Sequence, residues 1–260
     1  MLRERIQTDQ IDVVMLTKNS EHLLDKCLNS IYENVPVKNL IAIDGYSTDR
    51  TLRILENFDK KYGNVFVFQS KGSRAKARTE GISRVRTDWF MFVDSDVVLC
   101  KDWHKKAQAD VASGVGAVWG LNVDVIPNVS DKRFLEFQGL IARECFRMRG
   151  GMHDTLILRK AVEGIDIPEH LHTYEDAFIV QWIEKQGYKA SIGSNVYCLH
   201  YKPPSSWNVK EALSQAAVDF KCGLLYSHTY EYLFFFPVFV FYWGLQVPLN
   251  GFRNQLTRQG

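Results

Sequence analysis

The residues Trp89-Phe90-Met91-Phe92-Val93-Asp94-Ser95-Asp96 join an uncharged apolar run to two carboxylates. A short apolar run of this kind is typical of a strand that is covered on both faces, as in a parallel sheet. Ligands of open α/β sheets bind just beyond the carboxyl ends of such strands. We therefore expect Asp94 and Asp96 at a ligand-binding edge, where carboxylate oxygens suit a divalent cation. A solvated turn with an Asx hydrogen bond is the alternative.

Strands and helices alternate on the N-terminal side of this stretch. Strands are predicted at Ile11–Leu16, Leu40–Ile43 and Val65–Phe68, and a helical pattern follows each of them. Four strands alternating with three helices predict a doubly wound α/β domain, with a mostly parallel central sheet and helices on both faces. Because no Gly-x-Gly-x-x-Gly follows the first strand, a dinucleotide-dependent dehydrogenase is disfavoured.

Polar residues follow the predicted strands at their carboxyl ends. They are Thr17, Lys18, Asn19, Asp44, Lys71, Asp94, Ser95 and Asp96. Each of them alone is compatible with a turn or a solvated surface. The carboxyl ends of parallel strands meet at one edge of a sheet, however, so their joint placement predicts a single site.

Four motifs in this order resemble the signature of family-2 glycosyltransferases, which have the GT-A fold. They are Thr17-Lys18-Asn19, Asp44-Gly45-Tyr46-Ser47-Thr48-Asp49-Arg50-Thr51, Ala77-Arg78-Thr79-Glu80-Gly81 and Asp94-Ser95-Asp96. The resemblance implies that the polar strand ends and Arg78 bind the nucleotide: the first loop and Asp44 hold the base, and Asp94 holds the ribose. It also implies that Asp96, with Asp94 as a shared ligand, holds Mn²⁺ or Mg²⁺ on the diphosphate.

The second half of the chain carries two further features. Glu175 and Asp176 open a predicted helix, where the helix dipole alone favours negative charge. In the family such a pair supplies the general base, so the resemblance implies that Asp176 is the base and that Glu175 positions it or the acceptor. His200 ends a late strand, and the resemblance makes it a third metal ligand. Lys202 is then a candidate for the diphosphate.

Composition excludes several other classes of protein. The net charge of +2 gives no indication of a nucleic-acid partner. The five cysteines are far apart in the sequence, which argues against a zinc ribbon or a disulfide scaffold and suits a reducing compartment. Because no apolar signal region opens the chain, we expect a cytoplasmic protein.

The C-terminal region has a different composition. Tyr232–Leu249 contains eighteen residues without a charge, and nine of the fourteen residues in Tyr230–Trp243 are aromatic. Aromatic side chains of this density suit a membrane interface. A core helix or an oligomer contact is the alternative. We therefore expect association with the cytoplasmic face of the cell membrane.

These observations predict two parts and one activity. Residues 1–206 form a GT-A catalytic domain, with a nucleotide-binding half at about 11–100 and an acceptor half at about 101–206. Residues 207–260 form apolar helices that associate with the membrane. The expected activity is metal-dependent transfer of a sugar, with inversion, from GDP-mannose or a UDP-sugar to a glycan or a lipid-linked acceptor. A sugar-phosphate nucleotidyltransferase and a non-catalytic nucleotide-binding scaffold are the alternatives.

Overall fold

The computed structural model of the protein describes residues 10–125, 150–171 and 174–201, together with the isolated positions 217 and 221. The predicted diphosphate ligand Lys202 and nearly all of the segment 207–260 lie outside the described residues. Within the described part of the chain, no helix has both the length and the apolar character required to cross a bilayer.

Eight strands and five α-helices make up the described fold. The strands are β1 (Ile11–Thr17), β2 (Val37–Asp44), β3 (Val65–Gln69), β4 (Trp89–Asp94), β5 (Val97–Leu99), β6 (Val115–Asp124), β7 (Asp154–Leu158) and β8 (Lys189–His200). The helices are α1 (Leu24–Asn34), α2 (Thr51–Tyr62), α3 (Arg74–Arg84), α4 (Trp103–Ala109) and α5 (Glu175–Lys185), and a 3₁₀ turn covers Arg159–Val162.

The strands form one sheet in the order β3-β2-β1-β4-β7-β6-β8-β5. Strands β1 to β4 are parallel to their neighbours in the first half of this sheet, and β6 is parallel to β8. Strand β7 runs antiparallel between β4 and β6, and β5 runs antiparallel to β8. The predicted mixed α/β sheet, mostly parallel, is therefore confirmed.

Alternate residues of β4 explain why helices cover both faces of the sheet. Trp89, Met91 and Val93 belong to one core with helices α1, α2 and α4, and Phe90 and Phe92 belong to a second core with α3 and α5. All five side chains are buried, as expected for a central strand without a solvated face. The apolar run in the sequence thus reflects two separate cores.

A glycine sets the distance between α3 and the sheet. A Cβ at Gly81 would lie 2.4 Å from Val14 Cγ1, so only glycine allows this close approach of helix and strand. The contact brings Arg78, one turn earlier on α3, over the carboxyl ends of β1 and β4.

The strand register brings the predicted site residues to one edge. Thr17 pairs with Asp44 across β1 and β2, and Leu16 pairs with Asp94 across β1 and β4. Val97 of β5 pairs with His200, which brings the end of β8 close to the Asp94-Ser95-Asp96 turn. Strand β5 is too short to be predicted from the sequence. The predicted late strand that ends at His200 begins at Lys189, and its first half is polar.

Candidate active site

The loops that follow β1 and β2 hold each other in place. Five backbone N–H groups of these loops donate to side chains of the other loop. These bonds are Asn19 N to Ser47 Oγ (2.8 Å), Ser20 N to Thr51 Oγ1 (2.7 Å), Glu21 N to Asp49 Oδ2 (3.0 Å), Thr48 N to Asn19 Oδ1 (2.9 Å) and Arg50 N to Glu21 Oε2 (2.9 Å). The two loops therefore form one preorganised rim at the carboxyl ends of β1 and β2.

Asp44 lies beneath this rim and is fully buried. Its Oδ1 accepts hydrogen bonds from Thr17 Oγ1 (2.9 Å) and Ser47 Oγ (2.6 Å), and its Oδ2 accepts one from Ser47 N (2.8 Å). Asp44 and Thr17 thus join the two loops from below. The predicted contact of this carboxylate with a base stays a prediction.

Exposed cationic and aromatic groups form the outer side of the rim. Tyr46 has a left-handed φ of 59° and is 44% exposed, and the Lys71 ammonium lies 5.1 Å from its ring centroid. The Cδ atom of Lys18 lies 3.2 Å from the position that a Cβ at Gly45 would occupy. Of the two predicted lysines, Lys71 therefore contacts the exposed Tyr46 ring, and Lys18 packs against the neighbouring Gly45.

Arg78 is the centre of the buried electrostatics. Its guanidinium Nη2 lies 3.4 Å from Asp94 Oδ1 and 3.3 Å from Asp176 Oδ1, and its Nε lies 3.9 Å from Glu175 Oε1. The guanidinium also lies 5.0 Å from the Phe92 ring centroid. One cation thus joins the Asp-x-Asp turn to the start of α5.

Burial and charge shift the pKa of these groups. Burial acts to lower the pKa of Arg78, but the charges of Asp176, Asp94 and Glu175 raise it above its ordinary value. Burial raises the pKa of Asp94 despite the opposing charge of Arg78. Burial, and then the charge of Asp176, raise the pKa of Glu175 to about 7. Near neutral pH, Glu175 is therefore half protonated beside an Arg78 that keeps its charge.

This shift predicts that stability falls as the pH rises. Because the folded-state pKa of Glu175 lies above its usual 4.5, the folded protein keeps the proton longer, and stability is lost between about pH 4.5 and 7. Glu175→Gln removes the titration and retains the shape. We expect it to be up to about 3 kcal/mol more stable than the native protein at pH 8, with little difference at pH 4.5. Urea unfolding at both pH values measures this difference, and an equal effect at both would contradict the assignment.

The Asp94-Ser95-Asp96 turn is anchored by its neighbours. Asp94 N donates to His153 O (3.0 Å), and Cys27 Sγ donates to Asp94 O (3.3 Å). The hydroxyls of Ser95 and Ser20 share a hydrogen bond of 2.8 Å. These bonds leave the two carboxylates directed away from the sheet, with the Asp94 side chain 33% exposed and the Asp96 side chain 41% exposed.

His200 contacts Asp96 and has the supporting contact that a metal ligand requires. His200 Nε2 lies 3.1 Å from Asp96 Oδ2, and Asn122 Nδ2 lies 2.9 Å from His200 Nδ1. In this arrangement Asn122 Oδ1 is buried and has no hydrogen-bond partner among the described residues. Turning the Asn122 amide would let Oδ1 accept a hydrogen bond from His200 Nδ1–H, which leaves the Nε2 lone pair free to bind a cation beside Asp96. The residues present therefore fit a divalent metal.

We accordingly expect Asn122 to control metal affinity. Asn122→Leu removes the group that fixes the His200 tautomer and should weaken Mn²⁺ binding by about ten- to a hundredfold. Asn39→Leu serves as a control, because Asn39 also sits on a strand and donates to Asp12 at the opposite end of β1. Mn²⁺ titration followed by electron paramagnetic resonance measures the free ion. Equal affinity in the native protein and in Asn122→Leu would contradict this role.

A further cluster was not predicted from the sequence. Potential ligand atoms of His153, Asp154 and Cys198 lie within 4.8 Å of one another, and all three residues are buried. Burial raises the pKa of Asp154 to about 7. The Gly150-Gly151 pair before β7 is the one sequence signal for close packing here, and Cys198 is remote in sequence.

The predicted residues differ in their contacts and in their burial. Arg78, Asp94, Glu175 and Asp176 are in direct contact, and Asp96 contacts His200. Thr17 and Asp44 are buried below the rim, and Lys18, Asn19 and Lys71 are exposed on it. Ser95 links the turn to the first loop. The ligand roles of these residues stay predictions.

Known proteins share this sequence pattern and this architecture. The chain is 30% identical over 131 residues to the poly(ribitol-phosphate) beta-glucosyltransferase of Bacillus spizizenii, an alignment that covers 45% of the chain and 20% of that enzyme. It is 23% identical over 282 residues to the dolichyl N-acetyl-alpha-D-glucosaminyl phosphate 3-beta-D-2,3-diacetamido-2,3-dideoxy-beta-D-glucuronosyltransferase of Methanococcus voltae, with 93% and 82% coverage. The chain therefore spans about a fifth of the length of the Bacillus relative.

Structural similarity confirms the fold. The mannosyltransferase PcManGT from Pyrobaculum calidifontis, solved with GDP-Man and Mn²⁺, superposes with a TM-score of 0.67 at 18% identity, covering 87% of this chain and 70% of that one. The sequence model of glycosyl transferase family 2 matches residues 12–158, more than half of the 260 residues. The protein belongs to glycosyl transferase family 2.

Proposed function

We propose that this protein transfers a hexosyl group, with inversion, from GDP-mannose or a UDP-sugar to an acceptor hydroxyl, and that it uses a divalent metal. The observation that carries the proposal is the cluster in which Arg78 joins Asp94 to Asp176 beside the Asp96–His200 pair. This cluster places residues that fit a divalent metal close to a partly exposed carboxylate, which are the two parts that such a reaction needs.

Asp176 has the properties of a general base. Its side chain is 33% exposed, so an acceptor can reach it, whereas Glu175 beside it is only 3% exposed. The Arg78 guanidinium lies 3.3 Å from Asp176 Oδ1 and holds this carboxylate beside the Asp-x-Asp turn. We assign Asp176 to take the proton of the acceptor hydroxyl. Glu175, behind it, positions the base.

One in-line displacement accounts for inversion. The acceptor oxygen forms a bond to the anomeric carbon while the bond from that carbon to the diphosphate oxygen breaks, and Asp176 receives the acceptor proton. The nucleoside diphosphate leaves with the bonding electron pair. No covalent sugar–enzyme intermediate is required, so a single carboxylate is sufficient.

A divalent cation would lie at the carboxyl end of β4. Asp96, Asp94 and His200 would hold it, and it would offset the charge that develops on the departing diphosphate. The imidazole ligand favours Mn²⁺ over Mg²⁺. The Mn²⁺ complex of the Pyrobaculum mannosyltransferase supports this choice. Lys18, Asn19, Lys71 and Lys202 are proposed to contact the nucleotide.

We propose a lipid-linked acceptor at the cytoplasmic face of the cell membrane. The name of the Methanococcus relative gives a dolichyl-linked sugar phosphate as its acceptor, and the alignment to that relative covers 93% of this chain. The aromatic run in Tyr230–Trp243 has the composition of a membrane interface. A glycan that carries no lipid is the alternative acceptor.

A donor panel tests the proposed reaction. Purified protein is incubated with GDP-mannose, UDP-glucose, UDP-N-acetylglucosamine and UDP-galactose, with and without polyprenyl-phosphate-linked sugar, and the released nucleoside diphosphate is measured. We expect turnover of one donor, stimulated by the acceptor, dependent on Mn²⁺ and abolished by a chelator. Release of nucleoside diphosphate that is unaffected by the chelator, or turnover of none of the donors, would contradict the proposal.

A further inference from the structure

A buried trio of His153, Asp154 and Cys198 lies behind the Asp-x-Asp turn. The trio forms because β7, which Asp154 begins, and β8, which carries Cys198, both pair with β6. Asp154 and Cys198 are fully buried, and His153 is 5% exposed. The His153 ring centroid lies 6.5 Å from that of His200, so the trio is close to the proposed active-site metal but shares no residue with its ligands.

The donor set of the trio is that of a zinc site. Thiolate, imidazole and carboxylate are the three ligand types that zinc uses in proteins. Ligand atoms around a tetrahedral zinc are about 3.4 to 3.8 Å apart, given bond lengths of about 2.0 to 2.3 Å. The atoms here lie within 4.8 Å of one another, so shifts of about an ångström or less would close the site.

The charges of the trio also match a divalent cation. No lysine or arginine in the described part of the chain forms an ion pair with Asp154, and the ion pair found there is with His153 Nδ1 at 3.4 Å. A buried carboxylate without a lysine or arginine partner is costly to ionise. A thiolate and a carboxylate together carry two negative charges, which one Zn²⁺ neutralises.

The fold makes room for this cluster at two glycines. A Cβ at Gly120 would lie 1.9 Å from Asp154 Oδ2, and a Cβ at Gly151 would lie 2.4 Å from His153 Cε1. Trp103 Nε1 donates to Asp154 Oδ2 at 2.8 Å. A hydrogen bond of this kind orients a metal-binding carboxylate. The close approach and the oriented ligand are what a preformed site requires.

We propose that His153, Asp154 and Cys198 bind a Zn²⁺ ion. The Cys198 thiol, which now hydrogen-bonds to Asp154, loses its proton to solvent when the metal binds. Because Asp94 N donates to His153 O, the ion would stabilise the turn that carries Asp94 and Asp96. This site is distinct from the proposed catalytic metal, whose ligands include no sulfur.

Cobalt substitution tests the proposal, because only a thiolate ligand gives a sulfur-to-cobalt charge-transfer band. We expect the protein purified without chelator to contain about one zinc per chain. After exchange, Co²⁺ should produce the charge-transfer band and the intense visible bands of a tetrahedral ion. The band should persist in Asp96→Asn, since that residue belongs to the other site. Absence of a charge-transfer band in the native protein would overturn the proposal.

Three variants make the test specific. Cys198→Ser should lose the band, and Cys100→Ser should keep it, because Cys100 is a buried free cysteine outside the trio. Trp103→Phe retains all three ligands but removes the hydrogen bond to Asp154, so we expect it to weaken Co²⁺ binding by about tenfold or more. A charge-transfer band that survives in folded Cys198→Ser would overturn the proposal. If Cys198→Ser does not fold, Trp103→Phe provides the test, and an unchanged Co²⁺ affinity in that variant would overturn the proposal.

Discussion

Replacing Arg78 by methionine should destabilise the protein by about 3 to 5 kcal/mol, the range found when one partner of a buried ion pair is removed. Arg78 is 3% exposed and lies within 4 Å of carboxylate oxygens of Asp94, Glu175 and Asp176. Methionine fills much of the space of the arginine stem but leaves three neighbouring carboxylates without their cation. Because these carboxylates would then repel one another, we also expect the destabilisation to grow as the pH rises.

Urea unfolding at pH 7 measures this effect, and two further variants calibrate it. Arg74→Met makes the same change one turn earlier on α3, at an exposed position, and should alter the free energy of unfolding by about 0.5 kcal/mol or less. Arg78→Lys should fall between them, since a single ammonium cannot replace a fork of donors that reaches three carboxylates. A loss below about 1 kcal/mol in Arg78→Met would show that the cluster is not held by this residue.

Replacing Asp176 by asparagine should lower the rate of sugar transfer by about a hundred- to ten-thousandfold, the usual contribution of a general base. Asparagine keeps the size of the side chain but cannot take the acceptor proton. The nucleotide is proposed to bind through the rim and the Asp-x-Asp turn, so its affinity should change little. The expected result is therefore a fall in kcat without a comparable rise in the Kd of the donor.

Glu184→Gln provides the control, because it removes a carboxylate from an exposed position on the same helix α5. Its kcat should equal that of the native protein. Near-normal turnover in Asp176→Asn would reject this residue as the base. A parallel loss of donor affinity would assign Asp176 to binding rather than to proton transfer.

The first half of the fold is predictable because its signals are local. Apolar runs followed by polar residues mark β1 to β4, and the right-handed connection of parallel strands brings their carboxyl ends to one edge. This reasoning is sufficient to place Thr17, Asp44 and Asp94 in neighbouring positions, as the register shows. The helix on each face follows from the two-sided burial of β4.

The second half depends on pairings that the sequence does not encode locally. An apolar strand pattern does not show which strand it pairs with, so the insertion of β7 between β4 and β6 could not be predicted. The first part of β8 is polar and carries Gly193, which hides it as a strand. For the same reason the meeting of Cys198 with His153 and Asp154 was missed, because it needs both the β6–β7 and the β6–β8 registers.

Within the site, local motifs indicate some residues, whereas other contacts depend on strand pairing. Asp176 and Glu175 were assigned by resemblance, and the structure adds that Arg78 joins them to Asp94. Asn122 is a polar residue within an apolar strand, a pattern that can indicate a supporting role. Its partner His200, however, becomes apparent only when β8 is paired with β6.

The most direct test asks whether this edge of the sheet binds a metal–nucleotide complex. GDP and UDP are titrated by calorimetry, with and without Mn²⁺, into the native protein and into Asp96→Asn. We predict that one of the two nucleotides binds the native protein in the presence of Mn²⁺, and that omission of the metal or the Asp96→Asn change weakens binding by about tenfold or more. Asp88→Asn, which alters a surface carboxylate that is 87% exposed, should bind like the native protein. Nucleotide binding of equal strength without Mn²⁺ and in Asp96→Asn would contradict the assignment.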